Sequence, residues 1–282
     1  MRLFLLTVLA LVALAANSVL NRLALTTGGI DPASLAVIRV GAGAVSLMIL
    51  VAVQQGVQAI TPQRSFWGPA SLVAYMLGFS FAYVSLDTGV GALILFGVVQ
   101  ITMFAGALWM GEAVTAKRWI GAGIAFIGLV ALLWPATATA PDLLGSALMA
   151  FAGLGWGLYS LLGKASTNPV RNTMSNFIWA LPVTALGLLV VQDITLSPQG
   201  IALAALSGSV TSGMGYALWY ALLPRLLPSV AAVSQLSVPV IAALGGVIFV
   251  AEPMTAQFIA ACVLVLGGVA LSVVNVKRAS PD

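Results

Sequence analysis

Ten apolar runs of about 20 residues, separated by short gaps, make up most of this sequence. They span 3–25, 32–54, 66–87, 89–111, 114–134, 142–164, 173–192, 199–223, 229–251 and 254–276. A helix needs about 20 apolar residues to cross a bilayer, whereas the strands of a membrane barrel alternate polar and apolar residues. Stretches such as 124–134 show no such alternation. The runs therefore predict an all-α membrane protein with ten transmembrane helices.

Charged residues are too few to cover a water-facing surface. They make up 6% of the 282 residues, against roughly 25% in a soluble domain, and the mean hydropathy is +1.11. This scarcity excludes a soluble enzyme, a disordered protein and a disulfide scaffold. The net charge of +4 comes from scattered Lys and Arg residues that form no patch for nucleic acid. The sequence has no histidine and one cysteine, Cys262, so we expect no metal, no other cofactor and no intrachain disulfide.

The first run has an alternative interpretation. Arg2, followed by apolar residues and by Ala13-Leu14-Ala15, is similar to a cleavable signal peptide. The apolar pattern continues to Leu25, beyond that apparent cleavage site. The internal repeat described below also requires this segment, and we therefore predict a retained first transmembrane helix.

The positions of the Lys and Arg residues predict the topology. With the N-terminus inside the cell, nine of the eleven fall on the cytoplasmic side. These nine are Arg2, Arg64, Lys117, Arg118, Lys164, Arg171, Arg225, Lys277 and Arg278, and the remaining two are Arg22 and Arg39. The opposite side collects Asp31, Asp87, Asp142, Asp193 and Glu252. We therefore expect a multi-pass protein of the cell inner membrane with both termini in the cytoplasm.

The two halves of the chain repeat each other at an offset of 140 residues. Residues 111–115 (GEAVT) reappear as 251–255 (AEPMT), and near the start of each half Arg22 falls opposite Lys164. Each copy holds five helices, an odd number, so the second copy enters the membrane inverted. The sequence therefore predicts two inverted five-helix repeats, 1–140 and 141–282, around a central cavity. This organisation is typical of secondary transporters.

Further motifs mark the two halves. Glu-x-x-Thr turns follow the fourth helix of each half at Glu112 and Glu252, and Trp156-Gly157 is followed by Lys164. In these features the whole chain resembles the drug/metabolite transporter superfamily in its ten-helix EamA-type form, and is most similar within it to YddG-type exporters of aromatic and other amino acids. The first half departs from the pattern, with Leu14-Ala15 in place of Trp-Gly. The resemblance implies transport of small metabolites through a central cavity enclosed by helices of both halves.

Polar and aromatic residues in the interior of the runs are the candidate substrate-binding residues, because polar groups are costly in lipid and aromatic faces suit flat or apolar side chains. They are Asn17, Tyr83, Gln100, Trp156, Tyr159, Asn176, Trp179, Tyr216, Tyr220 and Gln235, and further polar residues of the same kind are Asn21, Tyr75, Ser80, Thr211 and Ser212. The alternatives are hydrogen bonds between helices for the amides and interfacial belts for the aromatic residues.

Two residues are candidate hinge positions. Pro239 removes a helix hydrogen bond and would allow a gating bend, and Gly157 lies among closely spaced glycines that let helices approach. For Gly157 the alternative is tight packing alone.

Arg39 is the most exceptional charge, because it lies about a third of the way into the second run. It could hold an anionic group of the substrate, but a structural pair with Asp31 or Asp87 is the favoured interpretation. Glu112 and Glu252 are interpreted as structural groups that cap exposed helix amides, and Lys164 as an anchor at the inner surface.

The run interiors contain no Asp or Glu, and the sequence has no ATP-binding loop. We therefore expect an exporter of amino acids that works by facilitated diffusion or exchange, by alternating access and without an ATPase subunit. The expected partners are a small-molecule substrate and the lipid bilayer. A nucleotide-sugar or sugar-phosphate exchanger and a drug or lipid exporter remain the alternatives. An enzyme of the membrane interior is disfavoured because acid, base and metal-binding groups are lacking there. The sequence does not predict the oligomeric state.

Overall fold

The computed structural model describes residues 2–109, 116–133, 141–164, 166–222, 225, 234–235 and 237–273. Within these ranges the chain is helical apart from its connections, and an isolated antiparallel bridge joins Ile30 to Leu196 between two of those connections.

Ten helices, α1 to α10 in chain order, account for the described part of the chain. They are Arg2–Thr26, Pro32–Gln55, Trp67–Ala82, Thr88–Trp109, Ala116–Leu133, Leu143–Lys164, Pro169–Ala185, Pro198–Leu222, Ser237–Val250 and Ala256–Val273. By length and composition, α1, α2, α4, α6 and α8 are long and apolar enough to cross a membrane. The prediction of an all-α membrane protein with ten helices is confirmed.

Helix boundaries differ from the apolar runs where a capping residue decides the start. The α7 helix begins four residues before its predicted run, because the Asn168 side chain accepts a hydrogen bond from the Arg171 amide and Pro169 occupies the first turn. In the same way, Asp31 caps α2 by accepting from the Ser34 amide at 2.8 Å. Polar caps therefore set these ends, whereas the apolar run sets the length that the membrane requires.

Helix packing relates the two halves of the bundle. The α3 helix packs on α6 as α8 packs on α1, and α4 packs on α6 as α9 packs on α1. Three further contacts pair α2 with α7, α4 with α9 and α5 with α10. If every helix is replaced by its counterpart in the other half (α1 by α6, α2 by α7 and so on), each of these contacts becomes another contact of the set or stays the same. Two five-helix repeats related by a two-fold axis pack in this way. We propose that the boundary between the halves lies between residues 140 and 141. Residues 134–140 are outside the part of the chain that the structure describes.

Close contact between α3 and α6 depends on Gly155. A Cβ atom added there would lie 2.7 Å from the backbone nitrogen of Tyr75 and 2.8 Å from the backbone oxygen of Ser71. Both neighbours are backbone atoms, so neither can move aside without shifting α3.

We expect Gly155→Ala to lower the free energy of unfolding in detergent by about 1–3 kcal/mol, because the added methyl forces the two helices apart. The matched control is Gly123→Ala in α5, where an added Cβ meets nothing within 4 Å. The control should stabilise the protein by about 0.5–1 kcal/mol, because alanine loses less conformational freedom on folding. Thermal unfolding of both variants provides the measurement, and equal stability of Gly155→Ala and the wild type would contradict the assignment.

Candidate substrate-binding site

A cavity with a volume of about 330 Å³ opens among α3, α6 and α7. Its rim includes Gln63, from the connection between α2 and α3, and Ser166, from the connection between α6 and α7. Successive helices run in opposite directions, so both connections lie on one side of the bundle. We call this the cavity side, and the topology predicted from the basic residues makes it cytoplasmic.

Two polar atoms near this cavity have no hydrogen-bond partner among the described residues. The Asn176 side-chain nitrogen lies 3.4 Å from the Tyr159 hydroxyl, and both residues line the cavity. The side-chain oxygen of Asn176 and the hydroxyl of Tyr220 are buried without a hydrogen-bond partner among the described residues. The Tyr220 ring packs against Gly163, another lining residue. A small molecule with amino and carboxyl groups could satisfy these free atoms.

An aromatic cluster continues from the cavity into the centre of the bundle. The ring of Trp156 stacks on Tyr159, with centroids 5.7 Å apart, and also contacts Tyr75 at 5.0 Å and Tyr216 at 4.7 Å. Tyr159 in turn meets Tyr220 edge-on at 6.5 Å. The structure thus gathers Trp156, Tyr159, Tyr216 and Tyr220 from the predicted set, together with Asn176. Tyr75 is an essential addition, which the sequence did not distinguish from other interior polar residues.

Arg39 lies beyond the aromatic cluster with a side chain that is 0% exposed. Its guanidinium donates hydrogen bonds to the Ser212 hydroxyl at 3.0 Å and to the Tyr75 and Tyr216 hydroxyls at 2.9 and 3.3 Å. The ring of Phe79 lies against it, with its centroid 4.8 Å away. The partners therefore come from α3 and α8.

The predicted pairing of Arg39 with Asp31 or Asp87 is wrong. Asp31 is occupied with backbone amides, accepting from Ser34 in the first turn of α2 and from Thr195 before α8. Asp87 lies 3.5 Å from Arg22 instead. The reason is that the Arg39 side chain lies on the face of α2 that packs into the bundle, whereas the Asp31 side chain, at the capping position, lies over the first amides of α2.

A second polar cluster joins α1 to α8. The side-chain oxygen of Asn17 accepts hydrogen bonds from the hydroxyls of Ser207, Thr211 and Ser212, at 3.0, 2.6 and 3.0 Å. A π-helical segment in α8, Ser207–Met214, contains all three hydroxyls, and such wide turns recur at functional sites. Ser212 also accepts from Arg39, so it links the two clusters. In this conformation Asn17 makes the interhelical bonds that were the alternative to substrate binding.

On the side opposite the cavity, ionic contacts hold the helix ends together, and the pocket beside Asp87 and Glu252 has a volume of only about 40 Å³. Arg22 at the end of α1 pairs with Glu252 at 3.1 Å and with Asp87 at 3.5 Å. It also donates to the backbone oxygens of Tyr83 and Val84, at 2.9 and 3.0 Å. We call Arg22, Asp87 and Glu252 the Arg22 cluster. It joins α1 to the connections after α3 and α9, which alternate with the connections of the cavity side.

Glu252 has the capping role expected of it, but on a different helix. Its second oxygen accepts from the amide of Thr88 at 2.8 Å, so it caps the start of α4 rather than the helix that follows it in sequence. Glu112 lies outside the described residues. Tyr83 belongs to this closed end as well, because its buried hydroxyl donates to the Thr88 backbone oxygen at 3.1 Å. Tyr83 is therefore not at the cavity.

The remaining predicted residues lie away from the cluster or at its edge. Gln100 and Gln235 are half-buried. Trp179 is largely exposed and donates to the backbone oxygen of Gln63 at the cavity rim, at 3.1 Å. Among the described residues, these three make no hydrogen bond or ring contact with the aromatic cluster.

The two candidate hinge residues and Lys164 lie in different surroundings. A Cβ at Gly157 would lie 2.7 Å from the side chain of Thr102, so this glycine packs α6 against α4. Pro239 is buried in α9. Lys164 ends α6, and its side chain is outside the described part. The gating bend at Pro239 stays a prediction.

Comparison with known proteins places the chain among membrane transporters. Residues 143–274 match the EamA-like transporter family. The chain is 44% identical to the uncharacterized protein PA1977 of Pseudomonas aeruginosa over 96% of this chain and 94% of that protein. It is 26% identical to an uncharacterized transporter of Archaeoglobus fulgidus over 66% of this chain and 68% of that protein.

A solved crystal structure shares the fold. It superposes with a TM-score of 0.64 over 96% of this chain and 96% of its own, at 19% identity. The family match, the relatives and the ten-helix bundle agree, and the chain belongs to the EamA-like transporter family of the drug/metabolite transporter superfamily, whose members are multi-pass membrane transporters rather than enzymes.

Proposed function

We propose that this transporter exports neutral amino acids, aromatic ones among them, or closely related small metabolites. The observation that carries the proposal is the aromatic cluster that adjoins the open cavity through Tyr159, on a bundle whose other side is held together by the Arg22 cluster. A cavity of about 330 Å³ is at the small end of ligand pockets, which suits one amino acid better than a nucleotide sugar.

The lining supports a substrate with both apolar and polar parts. Tyr159 lines the cavity and stacks on Trp156 behind it, so the pair provides aromatic surface for a flat or apolar side chain. Asn176 lines the cavity and has an unpartnered oxygen, and Tyr220, whose ring lies against the lining residue Gly163, has an unpartnered hydroxyl, and both atoms suit a charged or polar backbone group. Neither kind of contact alone selects an amino acid, but their combination at one cavity fits it.

The transport cycle that fits this geometry is alternating access between two repeats. The conformation described is open at the cavity side and closed at the Arg22 cluster. Rocking the two five-helix halves against each other would close the cavity and separate Arg22 from Glu252. In the proposed orientation the cavity side faces the cytoplasm of a cell whose inner membrane holds the protein, with both chain termini on that side.

Facilitated diffusion or exchange is the energetic scheme that the charges support. The carboxylates of the Arg22 cluster lie at helix ends and engage a guanidinium or a backbone amide. Proton-coupled carriers normally place such a group within the membrane interior. Substrate concentration then drives export, without ATP.

A nucleotide-sugar or sugar-phosphate exchanger is the second candidate, and Arg39 favours it because a buried cation can bind phosphate. A phosphate dianion, however, carries two negative charges, and because an uncompensated buried charge is costly, a dry site needs more than one cation to hold it. Arg39 is a single buried guanidinium, and Arg22 is already paired with two carboxylates. A drug or lipid exporter is a third candidate of the same superfamily.

Counterflow in proteoliposomes tests the proposal. Purified protein is reconstituted into liposomes loaded with unlabelled phenylalanine, tryptophan, leucine, glutamate or lysine, and uptake of the matching labelled amino acid is followed. We expect exchange of the neutral amino acids and much weaker exchange of glutamate and lysine. No exchange of any amino acid would overturn the proposal, and accumulation driven by an imposed pH gradient would overturn facilitated diffusion. Protein-free liposomes provide the background.

A further inference from the structure

Arg39 is a buried cation without a counter-ion. Its side chain is 0% exposed, and among the described residues the ion pairs within 4 Å all belong to Arg22. A cation in a low-dielectric interior is costly unless an anion accompanies it. Hydroxyl groups orient towards it but carry no opposite charge. The described conformation therefore leaves a positive potential in the centre of the bundle.

The guanidinium also keeps one donor group free. Its Nε and Nη2 atoms donate to Ser212, Tyr75 and Tyr216, whereas Nη1 is buried without a hydrogen-bond partner in the described part of the chain. The Tyr216 hydroxyl donates to the Tyr75 hydroxyl at 3.0 Å, so the two tyrosines already satisfy each other. An incoming anion can therefore take the free Nη1 group and replace a tyrosine on Nη2. The planar fork of arginine matches two carboxylate oxygens in this way.

Trp156 separates this cation from the open cavity. Its ring contacts Tyr159, a cavity-lining residue, on one side and Tyr75 and Tyr216, the partners of Arg39, on the other. Moving the Trp156 ring would therefore remove the side chain that joins the cavity-lining tyrosine to the partners of Arg39. Trp156 and Tyr159 both belong to α6, which packs against α3 and α4 of the other half.

We propose that Arg39 binds the carboxylate of the transported substrate, with Trp156 as the gate between the cavity and this anion site. The assignment rests on the proposed function and names the group that the transporter recognises. A carboxylate, with one negative charge, neutralises the single guanidinium. A phosphate dianion would leave a second negative charge without a cation, because Arg22 is engaged by Asp87 and Glu252.

Ligand discrimination by the wild-type protein gives the first test. Binding of L-phenylalanine, L-phenylalaninamide and phenyl phosphate is measured by their inhibition of phenylalanine counterflow. We expect phenylalanine to bind at least about 10-fold tighter than the amide, because a charge-assisted pair of hydrogen bonds is lost in the amide. Equal affinities for the two would overturn the proposal without any substitution being made, and tighter binding of phenyl phosphate would assign the site to phosphate instead.

Arg39→Gln gives the second test, with Lys117→Gln, an exposed position in α5, as the matched control. We expect Arg39→Gln to bring the affinities for phenylalanine and its amide to within about 2-fold, mainly by weakening phenylalanine. A purely structural Arg39 would instead weaken both ligands equally and keep their ratio, which would overturn the assignment. Failure of the wild type to exchange any amino acid would defeat the proposed function itself, whereas exchange without carboxylate preference would defeat only the role of Arg39.

Discussion

Replacing Arg22 with glutamine shifts the transporter towards a conformation that opens on the side opposite the cavity. The Arg22 and Glu252 side chains are 15% and 9% exposed, so their contact is largely shielded from water. Removing one partner of a buried pair costs about 3–5 kcal/mol, and a change of this size alters a conformational equilibrium by about 100-fold or more. The contact with Asp87 adds little, because its carboxylate is 44% exposed.

Reciprocal cysteine labelling measures this shift. Cys262 is the one cysteine of the sequence, so Cys262→Ala provides a background without thiols. Ser80→Cys reports on the closed end, since Ser80 is buried near the end of α3, and Asn172→Cys reports on the cavity rim. In the Arg22→Gln protein we expect maleimide to label position 80 at least about 10-fold faster and position 172 more slowly.

Two variants control for effects of charge alone. Arg64→Gln removes an exposed arginine on the cavity side and should leave both labelling rates unchanged. Arg22→Lys keeps a positive charge beside Glu252 and Asp87 and should keep labelling at position 80 slow. Faster labelling at both reporter positions together would indicate general loosening of the bundle and would contradict a gate at the Arg22 cluster.

Replacing Asn17 with leucine removes the centre of the α1–α8 contact and has the second largest expected effect. The amide makes bonds to three hydroxyls, and its nitrogen donates to the Thr211 backbone oxygen at 3.2 Å. Hydrogen bonds between membrane helices contribute about 0.6 kcal/mol each on average, up to about 1.7. Four such bonds predict that the free energy of unfolding falls by about 2–4 kcal/mol.

Unfolding in mixed detergent micelles, compared with phenylalanine binding, distinguishes the two possible roles of Asn17. Gln54→Leu, at an exposed position near the end of α2, is the matched control and should change stability by less than about 0.5 kcal/mol, as surface substitutions usually do. If Asn17 is a substrate ligand instead, Asn17→Leu will keep the wild-type stability and lose binding.

Sequence spacing accounts for part of the aromatic cluster. Trp156 and Tyr159 are three residues apart, so a helix presents them on one face, and the structure stacks their rings. Asn176 comes to Tyr159 from another helix, and Gly68 makes room for it, since an added Cβ there would collide with the Asn176 side chain. A small residue opposite a polar one is a signal of this contact, but the sequence does not show which small residue faces which helix.

Tyr83 illustrates a boundary that the apolar pattern misplaced. The run from 66 to 87 puts Tyr83 well inside the third helix, whereas α3 ends at Ala82 and Tyr83 turns towards the start of α4. A tyrosine inside a helix would face the bundle at mid-depth. At the helix end it instead belongs to the closed side, next to the carbonyl groups that bind Arg22.

The amino-acid sequence is sufficient to predict a bundle of membrane helices with an internal repeat. In lipid every backbone polar group must be paired within its own segment, so apolar runs of sufficient length have few other structures available. Which polar side chains contact each other is seen only in the folded bundle. Arg39 binds Ser212 across 173 residues of sequence, and Asn17 binds Thr211 across 194. Helix periodicity fixes the face on which each side chain lies, but the rotation and depth of one helix against another depend on packing throughout the bundle.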